Sequence, residues 1–239
     1  MNLKEKRVVV LGGTSGLGFA TAKAAAREGA SVVVVSAKPE RVAKALAALP
    51  AGTEGHVVDL TDEGQIAALF KKIGAFDHLV YTAGDWLLLG DFSALDIDAA
   101  RRSFDVRYWG AVMAAKYGAP QIRQGGSIVL TTGIASARPF KGWVAPASLL
   151  GAMEALTRAL AVELAPIRVN IVSPGVVKTE MWDALPEADR EGLYRDVGAK
   201  LLVGRVGEAD EVAETYLYLM RQTFSTGQVV TVDGGGVLV

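Results

Sequence analysis

The chain contains no cysteine, which removes disulfides, thiol nucleophiles, iron–sulfur clusters and cysteine-built zinc sites. Histidine is scarce: His56 and His78 are the two imidazoles among 239 residues, so no metal centre is expected. Neither sign of charge is in excess. With 25 Lys+Arg against 26 Asp+Glu and a formal net charge of −1, there is no electrostatic footprint for nucleic acid or an anionic membrane. No apolar run nears the ~18 residues that a bilayer crossing needs. The run Val8-Val9-Val10-Leu11 behind the charged start is too short for a signal-peptide apolar region. The expectation is a cytoplasmic protein that handles a small-molecule ligand or substrate, with neither nucleic acid nor membrane as partner.

Hydrophobic residues make up 51% of the chain, enough to build a sizeable core. Apolar, β-branched runs at 7–11, 31–35, 55–58, 78–82, 127–131, 169–173 and 229–232 read as strands. They are continuous rather than alternating, as strands covered on both faces must be. Alanine-rich helical stretches lie between them, at 17–28, 39–49, 63–73, 97–119, 146–164 and 210–221. Such alternation predicts an α/β fold. It should be a single doubly wound, Rossmann-type domain over 1–239, with a seven-stranded, mostly parallel sheet and helices on both faces. Segment 174–205 fits neither pattern; it reads as a lid over the substrate crevice, or else as a packed surface insertion.

The strongest local signal is Gly12-Gly13-Thr14-Ser15-Gly16-Leu17-Gly18, between the first strand and the first helix. Glycines there allow a tight turn and close approach of a pyrophosphate, and the helix start offers N–H groups to phosphate. The spacing of four then two (Gly12, Gly16, Gly18) resembles that of the short-chain dehydrogenase/reductase family. So do Asp59-Leu60 after the third strand, Ala83-Gly84 as the end of an Asn-Asn-Ala-Gly motif, and Ile167-Arg168-Val169-Asn170 with Ser173-Pro174-Gly175. Gly204-Arg205-Val206-Gly207, Thr226-Gly227-Gln228 and Val232-Asp233-Gly234-Gly235 match its C-terminal end. The resemblance implies an NAD(P)(H)-binding oxidoreductase. Its nucleotide contacts would fall on Gly12, Thr14, Ser15, Gly16, Leu17, Gly18, Ser36, Ala37, Lys38, Asp59, Leu60, Ala83, Gly84, Pro174, Gly175, Val177 and Thr179. At the end of the second strand, Ser36-Ala37-Lys38 carries no carboxylate for ribose hydroxyls, so NADP(H) is favoured over NAD(H). Lys38 would meet the 2′-phosphate as a point charge; the blander reading makes it and Arg41 solvated helix-start residues.

The same resemblance places an Asn-Ser-Tyr-Lys tetrad on this chain, and the positions hold other residues. The Ser position at the end of 126–133 is Gly133, the Tyr position 13 residues later is Pro146, and the Lys position four further is Leu150. The Asn position is Arg107. Glycine, proline and leucine have no ionisable side chain, and arginine stays protonated. No catalytic residue is therefore assigned. Stand-ins near the crevice are Asp85, Ser136, Tyr81, Tyr108 and Lys141, with Tyr81 and Tyr108 read first as packing. Thr132 should point to the opposite face, Ser148 round the helix, and His78 into the core. The expectation is atypical or no turnover, the alternative a catalytically silent nucleotide sensor or structural partner of an active paralogue. Helix 146–164 is apolar on most sides, and relatives pair through this helix and the preceding one, so a homo-oligomer, dimer or tetramer, is expected.

Overall fold

The computed structural model describes residues 2–84 and 87–239. The elements run β1 (Arg7–Leu11), α1 (Gly16–Arg27), β2 (Ser31–Ser36), α2 (Pro39–Ala48), β3 (Glu54–Val57), α3 (Glu63–Ile73), β4 (Phe76–Tyr81), α4 (Ile97–Phe104) and α5 (Gly110–Gly118). They continue through β5 (Ile122–Thr131), α6 (Val144–Glu163), β6 (Arg168–Pro174), β7 (Val177–Lys178), α7 (Glu187–Gly198), β8 (Gly207–Glu208), α8 (Ala209–Arg221) and β9 (Val229–Val232). The main sheet has seven strands in the order β3-β2-β1-β4-β5-β6-β9, every pair parallel. The chain winds one way from β1 to β3 and the other way from β4 onward. The crevice therefore opens at the carboxyl ends of β1 and β4, where the strand order reverses.

Both sheet faces are covered, as the continuous apolar runs require. Alternate residues of β1 and β2 divide between two cores. Val9, Leu11, Val33 and Val35 pack with Phe70, Ala114 and Met153 from α3, α5 and α6. Val8, Val10, Val32 and Val34 pack with Ala22, Ala45 and Leu217 from α1, α2 and α8. At the start of β6, the buried Arg168 guanidinium donates to the Leu219 and Met220 carbonyls at 2.8 and 3.1 Å, closing the C-terminal end of α8. Among the described residues no helix is long and apolar enough to cross a membrane.

Two segments differ from the sequence expectation. The single helix over 97–119 is two helices joined by a five-residue widened turn, Asp105–Trp109. The cause lies in the sheet: the buried Tyr81 hydroxyl donates to the Val106 carbonyl, and a Cβ on Gly110 would stand 2.2 Å from that hydroxyl. Tyr81 thus levers the helix open where Gly110 lets it approach. Segment 174–205 is also more ordered than a bare excursion. It contains α7 and a short turn, Glu180–Trp182. Pairing of Val177 with Gly207 brings its two ends together. Trp182, Tyr194 and Val206 form a small core of its own.

Candidate active site

The glycine loop leaves no room for side chains. Gly12 has φ +85°, and a Cβ there would lie 2.6 Å from the Ala83 nitrogen. At Gly18 it would lie 2.2 Å from the Gly12 carbonyl and 2.3 Å from Thr82 Oγ1. The loop is thereby pressed onto the end of β4, which brings Ala83 beside Gly12. Thr14 and Ser15 complete the turn, while Leu17 packs its side chain toward the α1 core. Gly16 has φ +50°, a Cβ there would lie 3.4 Å from Thr179, and its amide donates to Glu180 Oε2 at 2.7 Å. The first residue of α1 thus already holds an anion, which is what a helix N-terminus favours.

At the end of β2 the Ser36 hydroxyl accepts the Lys38 amide at 3.3 Å, and Ala37 and Lys38 are exposed. Asp59 accepts from the Thr61 amide and hydroxyl at 2.9 and 2.8 Å. The side chains of Leu60 and Val177 are buried in the cores, which leaves their backbones to face a nucleotide. Gly175 lies against Asp233, and the Pro174 carbonyl closes on Gly133.

Of the residues at the positions where the resemblance led us to expect the tetrad, Gly133 and Leu150 are brought together. A Cβ on Gly133 would lie 3.3 Å from Leu150 Cδ1 and 3.7 Å from the Pro174 carbonyl. Leu150 and Pro146 are buried on α6. Arg107 sits in the widened turn and lays its guanidinium over Gly84, where a Cβ would come within 2.3 Å of Cζ. Its charge reaches the enclosed Tyr216 phenol of α8, which burial pushes to a raised pKa while Arg107 pulls it back. Thr131 Oγ1 donates to the Tyr81 carbonyl at 2.7 Å, so the Tyr216 hydroxyl supplies the proton of their 2.7 Å bond.

The stand-ins are mostly occupied with structure. Thr132 donates to the Leu150 carbonyl at 2.9 Å. Ser136 bonds to Glu154 and to the Gly133 carbonyl at 3.0 Å. Lys141 is exposed, Tyr108 packs against the core, and Ser148 opens on a groove shared with Ile97 and Trp109. His78 is buried, with Nδ1 2.9 Å from Ser127 Oγ; desolvation lowers its pKa to about 4. Asp85 lies outside the described residues. Among the described residues no cluster of His, Cys, Asp or Glu is arranged to hold a metal ion. Sequence reasoning missed Glu180, although it directly follows Thr179, and it missed Tyr216, whose only signal was a tyrosine on the buried stripe of α8.

This fold with a glycine loop at the strand reversal defines a dinucleotide-binding α/β protein, and comparison with known proteins narrows it. The family model described as enoyl-(acyl carrier protein) reductase matches residues 12–236. A short-chain dehydrogenase/reductase, ATR9 of Stachybotrys chlorohalonatus, is 38% identical, with 99% of this chain and 98% of the relative covered. A small-chain dehydrogenase solved in complex with NADPH is 38% identical with a TM-score of 0.84, covering 99% of this chain and 100% of that one. The MalC reductase/Diels-Alderase of Malbranchea aurantiaca is 31% identical with a TM-score of 0.92, covering 99% and 98%. The chain belongs to the short-chain dehydrogenase/reductase family, a family of NAD(P)(H)-binding oxidoreductases.

Proposed function

We propose that this chain is an NADP(H)-preferring oxidoreductase whose hydride transfer runs without the family's tyrosine-centred proton relay. The observation that carries the reading is the apolar wall at the end of the crevice, where Leu150 packs within 3.3 Å of the place a Gly133 side chain would take. The cradle fits a nucleotide: Gly12 and Gly18 let the loop turn tightly against the end of β4, where any Cβ would clash, and the start of α1 is already engaged with an anion. The backbone of residues 12–18 with Ala83 and Thr179 would hold the phosphates, and Lys38 the 2′-phosphate. When bound, the reduced nicotinamide supplies a hydride. Leu150 and Pro146 exclude water from one side of that end, and Arg107 places a fixed positive charge on the other. No group among them can exchange a proton near neutral pH, so the proton comes from solvent, and positioning supplies most of the rate.

MalC, similar along nearly its whole length, is named both reductase and Diels-Alderase. Segment 174–205, closed at its base by β7 and β8, is the lid over this crevice, within one domain spanning the chain. The test follows NADPH absorbance against a broad panel of carbonyl acceptors, with a tetrad-containing relative alongside. Loss of general acid–base catalysis costs about 10²- to 10⁴-fold, so simple alcohols and ketones should turn over at least ~100-fold slower than in that relative. Ketone turnover matching the relative, and abolished by changing Asp85, Ser136 or Tyr108, would show a relocated proton donor and refute the reading.

A further inference from the structure

The Glu180 carboxylate accepts the Gly16 amide at 2.7 Å across 164 positions of sequence. Gly16 opens α1, which has no acidic residue in its own first turn and no side-chain cap from Ser15. The charge that this helix end attracts is delivered instead from segment 174–205. Neighbouring charges are engaged elsewhere. Lys178 bonds to Glu208 at 2.7 Å, Lys23 faces Asp210 at 3.7 Å, and Asp183 holds Arg190 at 2.8 Å.

Behind Glu180 the turn is stiff. The indole of Trp182 donates to the Val177 carbonyl at 2.9 Å, and the same ring packs with Tyr194 of α7 and Val206. A displacement of Glu180 is therefore passed to α7 rather than absorbed within the turn.

Resting on the cofactor reading above, we propose that Glu180 is a built-in stand-in for the nucleotide phosphate. In the free protein it latches the lid onto the glycine loop. A pyrophosphate arriving at Gly16 brings a second anion to the same N–H, so the carboxylate must leave. Cofactor entry and release of the lid are then one event, and cofactor affinity is set partly by a residue that contributes nothing to holding the nucleotide.

The test uses the full chain in three forms: wild type, Glu180→Gln, which keeps an acceptor but loses the charge, and Glu180→Ala, which loses both. NADPH affinity is read by fluorescence titration, and 2′-AMP, which carries no pyrophosphate, serves as the control ligand. Removing the competing charge should tighten NADPH about three- to tenfold in Glu180→Gln and leave 2′-AMP unchanged. In Glu180→Ala without nucleotide, peptides containing Gly16 and α7 should exchange amide hydrogen faster than in wild type, at unchanged melting temperature. NADPH affinity that is unchanged or weaker in both variants overturns the proposal. If no nucleotide binds any form, the cofactor reading falls and so does the stand-in role, while exchange at Gly16 alone still reports whether Glu180 clamps the lid. Exchange unaltered by Glu180→Ala overturns the latch outright.

Discussion

Gly84→Ala tests whether Arg107 is placed by the fold as described. A Cβ at residue 84 would stand 2.3 Å from Arg107 Cζ, 2.5 Å from Nη1 and 2.7 Å from Nη2. Ordinary contact needs about 3.4 Å or more, so the guanidinium must retreat by ~1 Å. Gly84 is not among the glycines with positive φ, so alanine meets no backbone penalty and the whole cost falls on Arg107. A flexible side-chain end yields cheaply, which puts the cost near the lower limit for overpacking, about 1 kcal/mol. For a chain of this size that is a fall of roughly 2–4 °C in melting temperature. The assay is a double-mutant cycle by thermal unfolding: Gly84→Ala, Arg107→Ala, and both together. With Arg107 truncated the added methyl meets nothing, so the 84 substitution should become neutral. Hydride transfer to any accepted substrate should fall by up to ~100-fold in Gly84→Ala, since a 1 Å misplacement at a reacting centre can cost that much. An equal stability loss in both backgrounds would refute the placement of the guanidinium over Gly84.

Lys38→Glu should reverse the nucleotide preference, and the wild-type preference for NADPH over NADH should shrink as salt rises, because Lys38 is exposed; equal wild-type affinities would make Lys38 merely a solvated residue. His78 has a folded-state pKa lowered to about 4 from 6.5, so the unfolded chain binds its proton first. Stability from the neutral ring is complete above pH ~6.5 and is lost as pH falls toward 4, at most ~3 kcal/mol; urea midpoints of wild type and His78→Asn should converge over that window, and parallel curves would sink the assignment. The exposed apolar residues Ile97 and Trp109, with Val144 and Val162 of α6, point to pairing of two copies through α4 and α6. Light scattering at micromolar concentration should give at least a dimer, and Ile97→Glu with Val144→Glu should shift it to monomer.

The parts of this molecule that sequence revealed are those fixed by local physics. Val8-Val9-Val10-Leu11 and Val32-Val33-Val34-Val35 announce strands buried on both faces, and the glycine loop announces itself because no other residue fits where it does. What escaped was set by contacts between distant positions. The helical spacing of 97–119 carries no proline to warn of a break, since the widened turn is imposed by Tyr81 from β4. Helix α7 is mostly polar and buries little beyond Tyr194 and Gly198, so its composition reads as loop. The partner of Glu180 is 164 residues away, and no periodicity encodes that.

The apolar wall of the crevice is a packed unit rather than a set of missing groups. Pro146 occupies the first turn of α6, which begins at Val144, where an amide has no intrahelical acceptor and proline costs the helix nothing. Leu150, one turn on and 4% exposed, contributes on the order of 2 kcal/mol by burial, where a lysine would have to be desolvated or drawn toward solvent. The side chain that Gly133 lacks is what lets Leu150 come so close, and Thr132 ties the strand end to the Leu150 carbonyl. Gly133 and Thr132 therefore both favour the buried place of Leu150. If the proposed function holds, a Ser at 133, a Tyr at 146 or a Lys at 150 placed singly would strain the wall without assembling a relay, and the chemistry has to be sought in what surrounds the wall, with Arg107 on one side and segment 174–205 carrying Glu180 on the other.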